Sequence, residues 1–160
     1  MLDFLTNFLK REPEIIEIVD RPDIQTSQLI NLLRQKFPIE IKGEDLKRLD
    51  ESLPPPRQTT VRKFYLNEPS DKELAMHSTN EILNSDLSVM GLRERLEFER
   101  VWHERFGTHP DYKRTATLCA GSPISPHNNV AIVFWKDKKL NINWCCPHSK
   151  DKYLRARRAL

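Results

Sequence analysis

The chain has no uncharged apolar run longer than residues 130–135, whereas a helix needs about 20 such residues to cross a bilayer. No membrane-spanning segment is expected. The first nine residues hold Asp3 and lack a basic start, so they make a poor signal peptide. Cysteine is scarce: there are three, an odd number, and Cys145 and Cys146 are adjacent. That pattern argues against a disulfide framework and fits a reducing compartment, so a cytoplasmic location is expected. There is no CxxC knuckle of the kind that holds structural zinc. The segment Thr117-Leu118-Cys119-Ala120-Gly121-Ser122 lacks the lysine and repeated glycines of a phosphate-binding loop. Its small residues could gather backbone N–H groups around an anion, but a tight turn is the expected role.

What is present is charge. Charged residues make up 31% of the 160 and hydrophobic residues 38%. The apolar residues recur periodically, which points to amphipathic elements with solvated faces, not disorder. The net charge of +3 is uneven, because residues 136–160 hold 8 Lys/Arg against 2 Asp/Glu. Such a basic end could meet phosphates or an acidic partner, although a solvated terminal helix explains it as well.

The expected class is α+β. Residues 1–52 read as a helical N-terminal region. Leu2, Leu5, Phe8 and Leu9 share one helix face, and residues 14–19 suit a strand or a helix. Leu29, Ile30, Leu33 and Phe37 recur at helical spacing behind a cap at Thr26 or Ser27, and Leu46 and Leu49 follow in a short helix. Residues 53–60, LPPPRQTT, read as a stiff proline-rich linker. Residues 61–160 then form an α+β C-terminal domain. Residues 61–66 suit a strand, and 71–83 one helix or two broken near Ser78. Within 88–106, Leu92, Leu96, Phe98, Trp102 and Phe106 fall in one arc of roughly 160°, with Gly107 as the helix stop. Residues 130–145 alternate as a β-hairpin about Lys136-Asp137-Lys138-Lys139. The hairpin, or a small antiparallel sheet, should pack on that helix. Residues 151–160 suit a short basic helix.

Three constellations could carry chemistry. Arg95, Glu99 and His103 lie at i, i+4 and i+8 inside the apolar arc. A charged row there must be paired or used. Glu99 holding His103 would suit a general base or a metal ligand; a structural ion pair is the alternative and the better expectation. Cys119, His127, Cys145, Cys146 and His148, with His103 and His109, offer zinc-type donors. Cys145 or Cys146 with His148 is the closest pairing, but the spacing is not that of a metal site, so no cofactor is expected. Lys136, Lys138, Lys139, Lys150, Lys152, Arg155, Arg157 and Arg158, with Trp135, Trp144 and Tyr153, offer a basic and aromatic surface for nucleic acid.

The segment from Leu92-Arg93-Glu94-Arg95 through Leu118-Cys119-Ala120-Gly121-Ser122, Trp135, Leu140 and Trp144 to Leu154-Arg155-Ala156-Arg157 resembles a C-terminal module of bacterial proteins of unknown function. The resemblance covers residues 90–160 and departs at Cys145-Cys146 and at the proline-rich stretch 123–126. It implies a shared fold and a bacterial or mobile-element source, and no activity. Three functions stand open. The favoured one is a non-enzymatic module or accessory protein with an unknown protein partner. Next is a nucleic-acid-binding protein using the basic end. The third is a small metal-dependent enzyme using Glu99 and His103.

Overall fold

The computed structural model describes residues 14–67, 70–112, 114–124 and 129–160. The helix expected on Leu2, Leu5, Phe8 and Leu9 lies outside them, as does His127. The elements run β1 (Ile15–Asp20), α1 (Thr26–Arg34), β2 (Ile39–Ile41), α2 (Leu46–Ser52), β3 (Thr60–Tyr65), a 3₁₀ turn (Lys72–Leu74), α3 (Thr79–Leu83), α4 (Leu92–Phe106), β4 (Ala116–Ile124), β5 (Asn129–Lys136), β6 (Lys139–Cys145) and β7 (Leu154–Arg155).

Helices and strands mix as an α+β fold, but with more sheet than the sequence led us to expect. A five-stranded sheet has the order β2-β6-β5-β4-β7, and β1 pairs separately with β3. The large sheet is mixed, not antiparallel, since β2 joins β6 in parallel and β7 joins β4 in parallel. The expected hairpin is its centre. Asp137 and Lys138 both have positive φ, the geometry of a two-residue turn whose twist suits the flanking strands. The N-terminal region is not purely helical. Residues 15–20 are β-branched in four of six positions, which favours the strand, and Ile39–Ile41 extends the sheet beside β6.

Two further expectations are corrected. The segment 117–122 is not a turn but part of β4, whose register with β5 shifts between Leu118 and Pro123. Gly121 is needed there because a Cβ would fall 2.4 Å from the Val89 carbonyl oxygen. Residues 151–160 are not a helix. After a turn at 152–153 they run extended, forming β7 and then the bridges Val89↔Arg158 and Phe64↔Ala159, so their backbone groups are met by neighbouring segments of the chain.

The core has three parts. On one face of the sheet, Leu29, Ile30, Leu33, Phe37, Leu49 and Leu53 meet Leu92 and Leu96 of α4 and Cys119, Ala131, Val133, Leu140 and Ile142 of the sheet. Chain on both sides of 53–60 thus shares one cluster, and Leu53 itself is buried, its carbonyl accepting from the Thr26 hydroxyl. The other face gathers Leu118, Ala120 and Val130 with Leu74, Ile82, Val89, Leu154 and Ala156. Ile18 and Phe64 of the β1–β3 ribbon close on Met90, Phe98 and Trp102. Phe106, expected in the apolar arc, is instead largely exposed.

Candidate functional site

α4 is enclosed on several sides for its first eight residues. Leu92 through Glu99 are all buried, including five charged side chains. Each charge is met by a different segment. Arg93 makes three contacts to the Asp20 carboxylate, at 2.6–3.1 Å, and donates to Thr26 Oγ1 and to the carbonyls of Arg21 and Ile24. Glu94 accepts from the Gly91 N–H at 2.9 Å and from Arg62 at 2.8 Å. Burial pushes its carboxyl above the ordinary range against these two pulls. Glu97 accepts from Arg100. Helix α4 therefore positions β1, β3 and the start of α1 through ionic contacts as well as apolar ones.

Arg95 and Glu99 form the densest cluster. Both are fully buried. Arg95 Nη1 donates to Glu99 Oε2 at 2.6 Å, Nη2 to Asp111 Oδ2 at 3.2 Å, and Nε to Thr117 Oγ1 at 3.1 Å. Arg157 enters from the far end of the chain. Its Nη2 lies 3.5 Å from Asp111 Oδ1, its Nε 3.3 Å from Thr117 Oγ1, and its Nη1 donates to Asn67. The guanidinium also lies over the Phe98 ring at 4.6 Å. Asp111 further accepts from the Thr115 and Thr117 hydroxyls. Burial opposes its ionisation, but Arg157 and Arg95 outweigh that and hold the carboxyl below its ordinary value. Burial likewise opposes the charge on Arg95, and Glu99 and Asp111 overcome it. Two guanidiniums and two carboxylates close on each other.

The histidine that Glu99 holds is not His103. Glu99 Oε1 pairs with His109 Nδ1 at 2.6 Å, because the loop after α4 returns over the helix. His109 stacks flat on Trp135 at 3.4 Å, and Phe37 meets both rings edge-on. His103 stacks behind His109 at 4.9 Å, and its buried Nδ1 has no partner among the described residues. The i, i+4, i+8 row therefore yields one ion pair and a bystander. Asp111 was missed, and His109, Thr117 and Arg157 had been given other roles. The only local signal was His109-Pro110-Asp111, a turn-forming sequence in which Asp111 takes positive φ.

The other candidates are dispersed. Among the described residues no group of three or more His, Cys, Asp or Glu side chains could hold one metal ion. His148 instead contacts the Asn80 amide at 3.2 Å. Cys145 is half-buried and its thiol is pushed up to about 11, Cys146 is exposed, and burial pushes Cys119 up to about 12. The basic end is not one free patch. Arg157 is a core residue, Lys150 pairs with Glu81, and Arg158 lies 3.4 Å from Glu73. Lys152 sits over the Tyr153 ring at 4.9 Å, and Arg155 donates to the Lys152 carbonyl. Trp144 Nε1 donates to the Lys42 carbonyl and Trp135 is committed to His109.

A different surface carries exposed apolar residues. A groove of about 490 Å³ runs between β1, α1 and α4, lined by Glu17, Ile18, Val19, Leu32, Glu97 and Val101 among others. Neither Arg95, Glu99, Asp111 nor His109 lines it. No family model matches the chain, and it matches no curated protein and no solved structure.

Proposed function

We propose that this protein is a non-enzymatic interaction module that docks a protein partner at the groove between β1, α1 and α4. The observation that carries this reading is the contrast between two places. The cluster with catalytic residue types is closed: Arg95 and Glu99 are fully buried and bonded to each other and to their neighbours. The groove is open and flanked by Leu32 and Val19, which are 44% and 40% exposed. A general base must reach a substrate proton, and the Glu99 carboxylate is fully buried, with its oxygens taken by Arg95 and His109. In this reading the LRER and LRAR segments are folding signatures. Arg93, Arg95 and Arg157 are their buried arginines, and they secure α4 to β1, to the start of α1 and to β4. The nucleic-acid alternative has less support, because four of the eight cations named for it, Lys139, Lys150, Arg157 and Arg158, are paired with carboxylates.

The test uses the full chain as bait, alongside Leu32→Asp. The substitution is at an exposed position, so the melting curve should stay put while the retained partner is lost. A chain that is a strict monomer and retains nothing, or a partner indifferent to Leu32→Asp, would count against the reading.

A further inference from the structure

We propose that the outer edge of β1 receives a β-strand from the partner: an extended segment with apolar side chains at alternate positions and a lysine or arginine opposite Glu17. This rests on the interaction-module reading and names the chemistry of what would dock.

Register carries the argument. β1 pairs antiparallel with β3 from Ile15↔Tyr65 to Asp20↔Thr60, and the Leu66 N–H donates to the Glu14 carbonyl. Hydrogen-bonded and non-hydrogen-bonded pairs alternate along such a ladder. Ile16, Ile18 and Asp20 therefore turn their backbone groups to β3, and Ile15, Glu17 and Val19 turn theirs outward. Among the described residues, no backbone bond reaches those outward groups. The other edge of the ribbon is closed, by the Phe64↔Ala159 bridge and the bond from Leu160 N–H to the Lys63 carbonyl. An open edge of this kind is a template for pairing with another chain.

Side chains set what fits. A strand laid beside β1 points every second residue toward the groove, where Leu32 and Val101 offer apolar surface. On the outer face Glu17 has Lys63 on one side only, at 3.5 Å. A cation on the incoming strand completes a cross-strand pair on the other side. The groove's Arg100 does not compete, being bonded to Glu97 and Glu104. A second copy of this chain fits less well, because the symmetric register centred on Glu17 sets two carboxylates opposite each other.

The probe is the capped hexapeptide Thr-Val-Lys-Val-Thr-Val, added to the full chain and followed by amide hydrogen exchange. In the free chain the amides of Ile15, Glu17 and Val19 should exchange fast and those of Ile16 and Ile18 slowly. Saturating peptide should slow the first set by about tenfold or more, as closure of an open edge requires. N-methylating the peptide amides that face β1 should abolish the effect, and N-methylating the alternate amides should not. Glu17→Lys should weaken this peptide and favour a version with glutamate in place of lysine. Equal results from both methylation patterns, or no protection at millimolar peptide, overturn the proposal. So does slow exchange of Ile15, Glu17 and Val19 in the free chain, which would mean the edge is already occupied by the chain's own residues. If a retained partner still depends on Leu32 while the peptide fails, strand addition is wrong and the module reading survives.

Discussion

Asp111→Asn isolates the buried charge cluster better than any other change. Asparagine keeps the size of the side chain and tolerates the positive φ of 60° at this position, so the backbone is spared and the charge alone is removed. Asp111 is 1% exposed and faces both Arg95 and Arg157. With its carboxylate gone, Glu99 is left to balance two buried guanidiniums. Breaking a buried pair by removing one partner costs about 3–5 kcal/mol. The asparagine oxygen still accepts from Thr115 or an arginine, which places the expectation at the lower end, about 3 kcal/mol. For a chain of this length that lowers the melting midpoint by roughly 6–12 °C. Arg157→Met in the Asp111→Asn background removes the surplus cation and should recover at least ~1 kcal/mol, since residues in one network do not add.

The pH dependence has a definite sign. The folded carboxyl of Asp111 titrates below its ordinary 3.8. Beneath that value the unfolded chain holds the proton and the folded chain does not, so stability falls as pH drops toward the folded value. Above 3.8 the contribution is fully present. Urea melts from pH 7 down to pH 3 should therefore show Asp111→Asn losing less on acidification than the parent. A change under ~1 kcal/mol at pH 7, or strict additivity with Arg157→Met, would refute the idea that this network is held by mutual charge.

Trp102→Ala should cost about 3–5 kcal/mol in chemical melts, because the ring packs with Phe98 and Met90 and donates to Thr108; an unchanged midpoint would place the α4 contact elsewhere. Gly121→Ala should destabilise by about 1–3 kcal/mol or more, since its Cβ meets backbone that cannot rotate away; a neutral thermal melt would count against that close approach. Cys119, fully buried with its thiol pushed up to about 12, should escape iodoacetamide at pH 8 while exposed Cys146 reacts. Mass mapping of the native chain checks this, and rapid labelling of Cys119 would mean that the core face of β4 opens.

Legibility in the sequence followed the range of the interactions. The β5–β6 hairpin and α4 were readable because their signals are local: alternation at Leu140, Ile142 and Trp144, a polar turn, and Gly107 taking positive φ at the helix end. Ser78 capping α3 is local too. β7 was not readable, since two residues in a basic stretch become a strand only because β4 offers an edge. Glu99 was singled out, but the histidine it holds was taken to be His103, one helical turn on. That histidine is His109, which arrives through a loop whose path no periodicity encodes. Arg157 looked like surface charge because lysine and arginine usually are; Asp111, 46 residues earlier, with Asn67 and the Phe98 ring, makes its burial tolerable.

Residues 154–160 tie together regions made much earlier in synthesis: β4 through β7, Val89 through Arg158, and β3 through Ala159 and Leu160. Arg157 also delivers the second cation to Asp111. On the ribosome, then, the five-stranded sheet lacks β7 and the ionic cluster lacks its second cation until residues 154–160 are free of the exit tunnel. Nascent chains stalled before residue 154 should be protease-sensitive, and native resistance should arrive in a single step once 154–160 can pair.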